Sequence, residues 1–157
     1  MRRFVMVVTA VSVVVGSACI RTTREKETGK VDIDIESPTK VGEDWSAGLK
    51  GLGSHANLSG TVKALVGGGE TNITISLAGG TPGTTMPWHI HQGKCGSGGP
   101  IVGEASAYKA LTVGGEGKAE GNARTTVSLK EATDYYVDVH HSHADMATIV
   151  ACGELDD

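Results

Sequence analysis

Two short segments contain five of the six histidines of the chain, and imidazole is the commonest side-chain ligand of transition metals. The segments are MPWHIHQGKC and YYVDVHHSHADMATIVAC. Their histidines are His89, His91, His140, His141 and His143, and they end at Cys95 and Cys152. Histidines clustered in this way predict a metal site that two distant parts of the chain build together.

Residue alternation in both segments is typical of β-strands, in which successive side chains point to opposite faces. His89 and His91 then share one face, opposite Trp88 and Ile90. His140 likewise lies opposite the valines of its own segment. With the apolar residues facing the core, we expect the histidines on the outer surface of the sheet. Three such nitrogens suit copper, zinc, iron or nickel. The alternative is that they are solvated polar positions without a ligand.

Further side chains could complete such a site. His143 is the leading candidate for a fourth ligand. Met86 and Met146 could supply thioethers, which favour Cu(I), or could simply fill the core. Asp138 and Asp145 are candidate hydrogen-bond acceptors that would fix the tautomer of a ligand histidine. The roles of His55 and His141 stay open at this level.

The elements that must position these residues are short strands separated by glycine-rich breaks, in keeping with the 23 glycines of the chain. We predict strands at residues 58–66, 71–78, 86–91, 103–111, 123–130, 135–140 and 146–155. Seven strands at this spacing favour an antiparallel β-sandwich or barrel. We place this domain at residues 55–157.

The N-terminus has the pattern of an exported protein. MRR is followed by an apolar run of twelve residues and then by GSAC, which predicts a signal peptide at residues 1–18. Small residues before Cys19 are typical of a lipoprotein cleavage site, so Cys19 would carry the lipid. The polar residues 19–54 would then tether the domain to a membrane of the cell envelope, in the periplasm or on the outer surface. Plain secretion without lipid is the alternative.

The number of cysteines predicts whether the domain contains a disulfide. If Cys19 is lipidated, Cys95 and Cys152 remain as a pair, and a pair of cysteines in an oxidising compartment tends to form a disulfide. The alternative is that both thiols are metal ligands.

The net charge of −4 and the lack of a basic run beyond the first residues predict no nucleic-acid partner.

The order of these motifs over residues 57–155 resembles the copper/zinc superoxide dismutase family. Members have a proline-glycine turn before an aromatic-His-x-His segment, a strand ending in Val-x-His, and a closing Ala-Cys-Gly; residues 80–83, 88–91, 137–140 and 151–153 match them. The resemblance implies an antiparallel Greek-key β-sandwich or barrel, a Cys95–Cys152 disulfide, and copper bound by His89, His91 and His140. It also implies superoxide as a small-molecule substrate and an antioxidant role.

The departures from that family shape the expected chemistry. Ile101 stands where the family has the histidine that bridges copper and zinc, and the zinc loop has no counterpart, so we expect no zinc site. Ile149 replaces the arginine that guides the anion. The histidine segments also resemble those of the chordin-type domain, a related sandwich. Three functions therefore stay open: a copper-dependent superoxide dismutase, a copper-binding or delivery protein without turnover, and a structural module of the envelope.

Overall fold

Nine strands run through residues 42–157, the part of the chain that this computed structural model describes. They are β1 (Glu43–Gly51), β2 (Ser59–Gly67), β3 (Glu70–Ala78), β4 (Thr85–Met86), β5 (Trp88–Gln92), β6 (Leu111–Thr112), β7 (Lys118–Thr125), β8 (Tyr135–Ser142) and β9 (Asp145–Leu155). Two single-turn 3₁₀ helices, Gly53–His55 and Ala105–Ala107, join them. No helix within residues 42–157 is long and apolar enough to cross a membrane.

Seven of these strands form one antiparallel sheet in the order β5-β8-β9-β1-β2-β3-β7, and β4 pairs with β6 in a separate ribbon. The large sheet curls into a half-barrel, which confirms the predicted all-β, antiparallel sandwich or barrel class. The strands β1, β2 and β3 alternate buried and exposed residues along their length. That pattern places one apolar face inside the curl and leaves the other in solvent.

The core joins side chains from both ends of the sheet. Trp45 of β1 packs edge-on against Tyr135 of β8, with ring centroids 5.6 Å apart. Ile75, Trp88 and Val137 belong to the same buried cluster. The hairpin between β2 and β3 turns on Gly68 and Gly69, both at positive φ. Such a two-residue turn matches the twist of the strands and favours glycine.

The predicted boundary at residue 55 between tether and domain is wrong. Residues 43–51 form β1, which pairs with β2 along its length and with β9 at Lys50 and Gly51. Trp45 and Leu49 are each only 3% exposed. Only alternate positions of β1 face the core, so the strand contains few apolar residues. It follows a polar segment, and the sequence therefore gives only a weak signal for it. The predicted signal peptide, Cys19 and the first part of the predicted tether lie outside the described residues.

Two predicted strands also differ from the structure. Residues 103–111 hold the second 3₁₀ turn and only the start of the short β6. The strand expected at 123–130 lies earlier, as β7. Its inward positions include Ala119 and Ala123, whose small side chains give a weak apolar signal. The other five predicted strands are present.

Candidate metal centre

Register between β5 and β8 brings the two histidine segments side by side. His89 lies directly opposite Asp138, and His91 lies opposite Tyr136. His140 follows one position beyond this ladder, where its backbone N–H donates to the carbonyl oxygen of Pro87. Directly opposed side chains share one face of an antiparallel pair, so all these side chains meet on the outer face of the sheet.

His89, His91 and His140 form a group whose potential ligand atoms all lie within 4.8 Å of one another. Two nitrogens bound to one ion at a usual bond length are at most about 4.2 Å apart, so small side-chain movements would close the group on a metal. The structure therefore confirms that a group able to hold a metal ion exists at the predicted residues. The geometry is compatible with copper and does not by itself select the metal.

Backbone carbonyls fix the tautomers of two of the three rings. The Nδ1 of His91 donates to the carbonyl oxygen of Gly99 over 2.8 Å, and the Nδ1 of His140 donates to that of Met146 over 2.8 Å. In the neutral ring each donation leaves Nε2 with its lone pair free. The Nε2 of His91 is buried without a hydrogen-bond partner, as expected of a ligand atom. The predicted role of Asp138 and Asp145 in fixing these tautomers is wrong.

The third ring meets the other two through its Nδ1 atom. The Nδ1 of His89 lies 3.3 Å from the Nε2 of His140, close enough for a hydrogen bond in one tautomeric state. The ring centroids of His89 and His91 are 5.9 Å apart. The facing atoms are thus Nδ1 of His89 and Nε2 of the other two histidines.

The expected exposure of these histidines is wrong. His89 and His140 are each only 7% exposed, and His91 is half-buried. Tyr108 packs against the ring of His89 on this face. The segment after β5 also folds back along the edge of the sheet, where the N–H of Gln92 donates to the carbonyl of Pro100 and that of Val102 donates to the carbonyl of Ile90. Residue alternation places a side chain on a face but does not say whether another segment covers that face.

Burial favours the neutral form of His89 and His140, which is the form that binds metal. Desolvation lowers the pKa of His89 to about 4, and the positive charges of His140, His91 and His143 lower it further in that order. Desolvation also lowers the pKa of His140, against the opposing effect of its hydrogen bond to Met146. At neutral pH these two imidazoles are therefore ready to bind a cation without first losing a proton.

The Cys95–Cys152 disulfide, predicted from cysteine parity, is present with a Cα–Cα distance of 6.0 Å. It anchors the loop between β5 and Pro100, which carries the Gly99 carbonyl that orients His91. The N–H of Gly99 donates to the hydroxyl of Tyr136, whose ring stacks on His91 with centroids 5.2 Å apart. The bridge thus belongs to the scaffold of the histidine group, and its thiols are not metal ligands.

Asp138 is the least expected member of this neighbourhood. It lies between His89 on β5 and Cys152 on β9, and it is 3% exposed. Its Oδ1 is buried without a hydrogen-bond partner. Desolvation raises the pKa of the carboxyl to about 6, while the positive charge of His91 acts to lower it. The carboxyl is outside the group of mutually close ligand atoms.

The remaining candidates from the sequence lie at the margin. His143 is exposed in the turn between β8 and β9 and is outside the three-histidine group, although its charge acts on His89. His141 and His55 form a separate pair with ring centroids 5.8 Å apart. Met86 is a core residue, whereas Met146 is 38% exposed and contributes its carbonyl oxygen to the site.

Tyr108 is a neighbour of the site that the sequence analysis does not predict. Tyr108 packs edge-on against both Trp88 and His89, with centroids 5.1 and 5.5 Å away, and so closes the edge of β5. Its hydroxyl donates to the carbonyl of Val102. Burial raises the pKa of this phenol, so it stays neutral. It lies in the segment that was expected to be a strand, and no motif marks it.

No protein-family model matches this chain, and no curated protein is similar to it in sequence at a significant level.

Proposed function

We propose that the domain is a copper-binding protein of the superoxide dismutase type, with one copper ion held by Nδ1 of His89 and Nε2 of His91 and His140. The observation that carries this proposal is the trio itself: three imidazoles whose potential ligand atoms all lie within 4.8 Å of one another. Nitrogen ligands of this kind bind copper more strongly than the other divalent metals of the first row, zinc included.

Rigid placement of the ligands favours a resident metal over a delivered one. All three histidines lie on strands that pair over several residues, and two of the rings are held by backbone hydrogen bonds. A metal-delivery protein needs ligands that can dissociate from the metal one after another during transfer. We therefore favour a resident centre that performs chemistry over a delivery protein.

Copper at this position would supply one-electron chemistry, cycling between Cu(II) and Cu(I) as superoxide is converted to oxygen and hydrogen peroxide. The protein contributes the positions of the ligands and a buried wall of Tyr108 and Tyr136 that limits water near two of the rings. His91 is the most exposed of the three histidines, so we propose that a small anion approaches the site beside its ring. No positive side chain replaces the family's guiding arginine at Ile149, so we expect slow turnover.

Metal analysis of the purified protein tests the binding part of this proposal, and a stopped-flow superoxide assay on the copper-loaded protein tests the chemistry. We expect one copper per chain, with zinc bound more weakly. Copper without turnover would favour the binding protein that lacks catalysis. A chain that binds neither metal would favour a structural module of the chordin type.

The location of the domain is a separate proposal that rests on the sequence alone. We propose that Cys19 is lipidated and holds the domain at a membrane of the cell envelope, where superoxide from outside the cell would be met. Replacing Cys19 by Ser should block maturation, so that the protein keeps its signal peptide and carries no lipid. Wild-type protein recovered without lipid would contradict the anchor and leave the metal site untouched.

A further inference from the structure

Asp138 is a buried carboxyl that the three-histidine site does not use as a ligand. It is 3% exposed, its Oδ1 has no hydrogen-bond partner, and it lies directly opposite His89 on the same face of the sheet. Leaving a carboxyl buried and unpaired costs stability. A residue with such a cost and no structural partner is expected to serve the neighbouring site.

The charge of a metal site is what this carboxyl can change. Imidazole binds a metal in its neutral form and brings no negative charge. A Cu(II) ion would therefore bring two positive charges into a region that water reaches poorly. A carboxylate on the residue directly opposite His89 offsets part of that charge. Coulomb attraction is proportional to the charge of the ion, so the carboxylate stabilises Cu(II) about twice as much as Cu(I).

We propose that Asp138 determines the charge preference of the site: it favours the divalent over the monovalent ion and thereby sets the reduction potential of the bound copper. This inference rests on the proposed copper site and adds a residue to it. Asp138 acts on the metal through space, because its carboxyl lies outside the group of close ligand atoms. Asp138 would change the relative affinity for Cu(II) and Cu(I) without binding either ion.

The test compares the wild type with Asp138→Asn, Asp138→Leu and the control Asp134→Asn. The control removes the same charge from an exposed carboxyl, 67% accessible, near the start of the same strand. Affinities for Cu(II) and for Cu(I) are measured separately by competition with chelators of known affinity in mildly alkaline buffer. Unfolding temperatures are measured on the metal-free proteins.

We expect Asp138→Asn and Asp138→Leu to weaken Cu(II) binding on the order of ten- to a hundredfold, the usual range for residues around a metal site. Cu(I) binding should weaken less. Each tenfold of difference raises the potential by about 59 mV. The control should match the wild type. Asp138→Leu should also raise the unfolding temperature of the metal-free protein, because it removes an unpartnered buried carboxyl.

Equal losses for both oxidation states would overturn the inference, since they indicate a purely structural role. So would unchanged affinities, or a metal-free Asp138→Leu protein that is destabilised or unfolded. These results leave the wild-type copper site in place and so contradict Asp138 alone. A wild type that binds no copper would instead overturn the proposed function, and the inference with it.

Discussion

The Nδ1 atom of His89 lies 3.3 Å from the Nε2 atom of His140, although 51 positions separate the two residues in the chain. The contact exists because β5 pairs with β8 at the edge of the sheet, next to β9. His91 completes the group from the same strand as His89. A site built across two paired strands is as rigid as the sheet, and most of its testable properties follow from that.

Removal of two ligands should abolish metal binding. His89→Ala with His91→Ala leaves a single imidazole, which cannot chelate, so we expect no bound copper after dialysis. The matched control is His55→Ala with His141→Ala, which removes two neighbouring histidines outside the group. His143→Ala should also keep the wild-type stoichiometry. Copper retained by the first variant would falsify the assignment of the site.

The metal-free protein should lose stability as the pH falls from 6.5 towards 4. The pKa of His89 is about 4 in the folded protein, well below the ordinary histidine pKa of 6.5 that applies to the unfolded chain. Between these values the unfolded chain binds more protons than the folded one, so protonation favours unfolding. Asp138, with its pKa raised to about 6, acts in the opposite direction below pH 6.

Denaturant unfolding at several pH values checks this expectation with His89→Gln as the comparison. The variant should show a flatter dependence of the free energy of unfolding on pH within that window. Asp138→Asn should show a steeper one, because the opposing carboxyl is gone. Identical pH profiles for the wild type and His89→Gln would mean that His89 titrates normally in the folded protein.

Loss of the disulfide should weaken both the fold and the site. Replacing Cys95 and Cys152 by Ser opens a loop with a sequence separation of 57, and the chain-entropy treatment of cross-links assigns such a bridge about 4 kcal/mol. The same loop carries the Gly99 carbonyl that orients His91, so copper affinity should fall too. Calorimetry and copper titration measure the two effects. A destabilised variant with unchanged affinity would show that the loop holds its place without the bridge.

Gly99 should tolerate no side chain. A Cβ at this position would overlap the carbonyl oxygen of Gln92, so Gly99→Ala must displace the carbonyl that receives the His91 hydrogen bond. We expect lower stability and weaker copper binding. Gly115→Ala is the control, because a Cβ there meets nothing within 4 Å. Wild-type copper affinity in Gly99→Ala would show that His91 is held by its stacking on Tyr136 instead.

Superoxide capture should depend little on ionic strength in the wild type. Ile149 pairs with His140 across β8 and β9, so a cation at this position would lie next to the proposed copper site. Ile149→Arg should raise the rate constant of the copper-loaded protein at low salt by roughly tenfold or more, and the gain should vanish as salt is added. Ile149→Gln controls for polarity. A wild-type rate that already falls steeply with salt would mean that other cations steer the anion.

Local residue order was enough to predict the strand class and the identity of the three close histidines. Period-two alternation in β2, β3 and β8 is a property of neighbouring residues, and a His-x-His pair on a strand must share a face. Cysteine parity also sufficed for the bridge between Cys95 and Cys152. These predictions depend on adjacent residues or on simple counting, so no long-range information is needed.

The covering of each surface and the meeting of distant groups depend instead on long-range packing. Alternation predicts that His89 and His140 lie on the outer face, but their burial depends on distant residues such as Tyr108, which packs against the ring of His89. The hydrogen bonds that orient two of the rings are accepted by the backbone carbonyls of Gly99 and Met146. Because every residue has a backbone carbonyl, residue type does not predict which ones will be acceptors. The unpartnered state of Asp138 likewise emerges from its position between His89 and Cys152, because burial depends on neighbours that are distant in sequence.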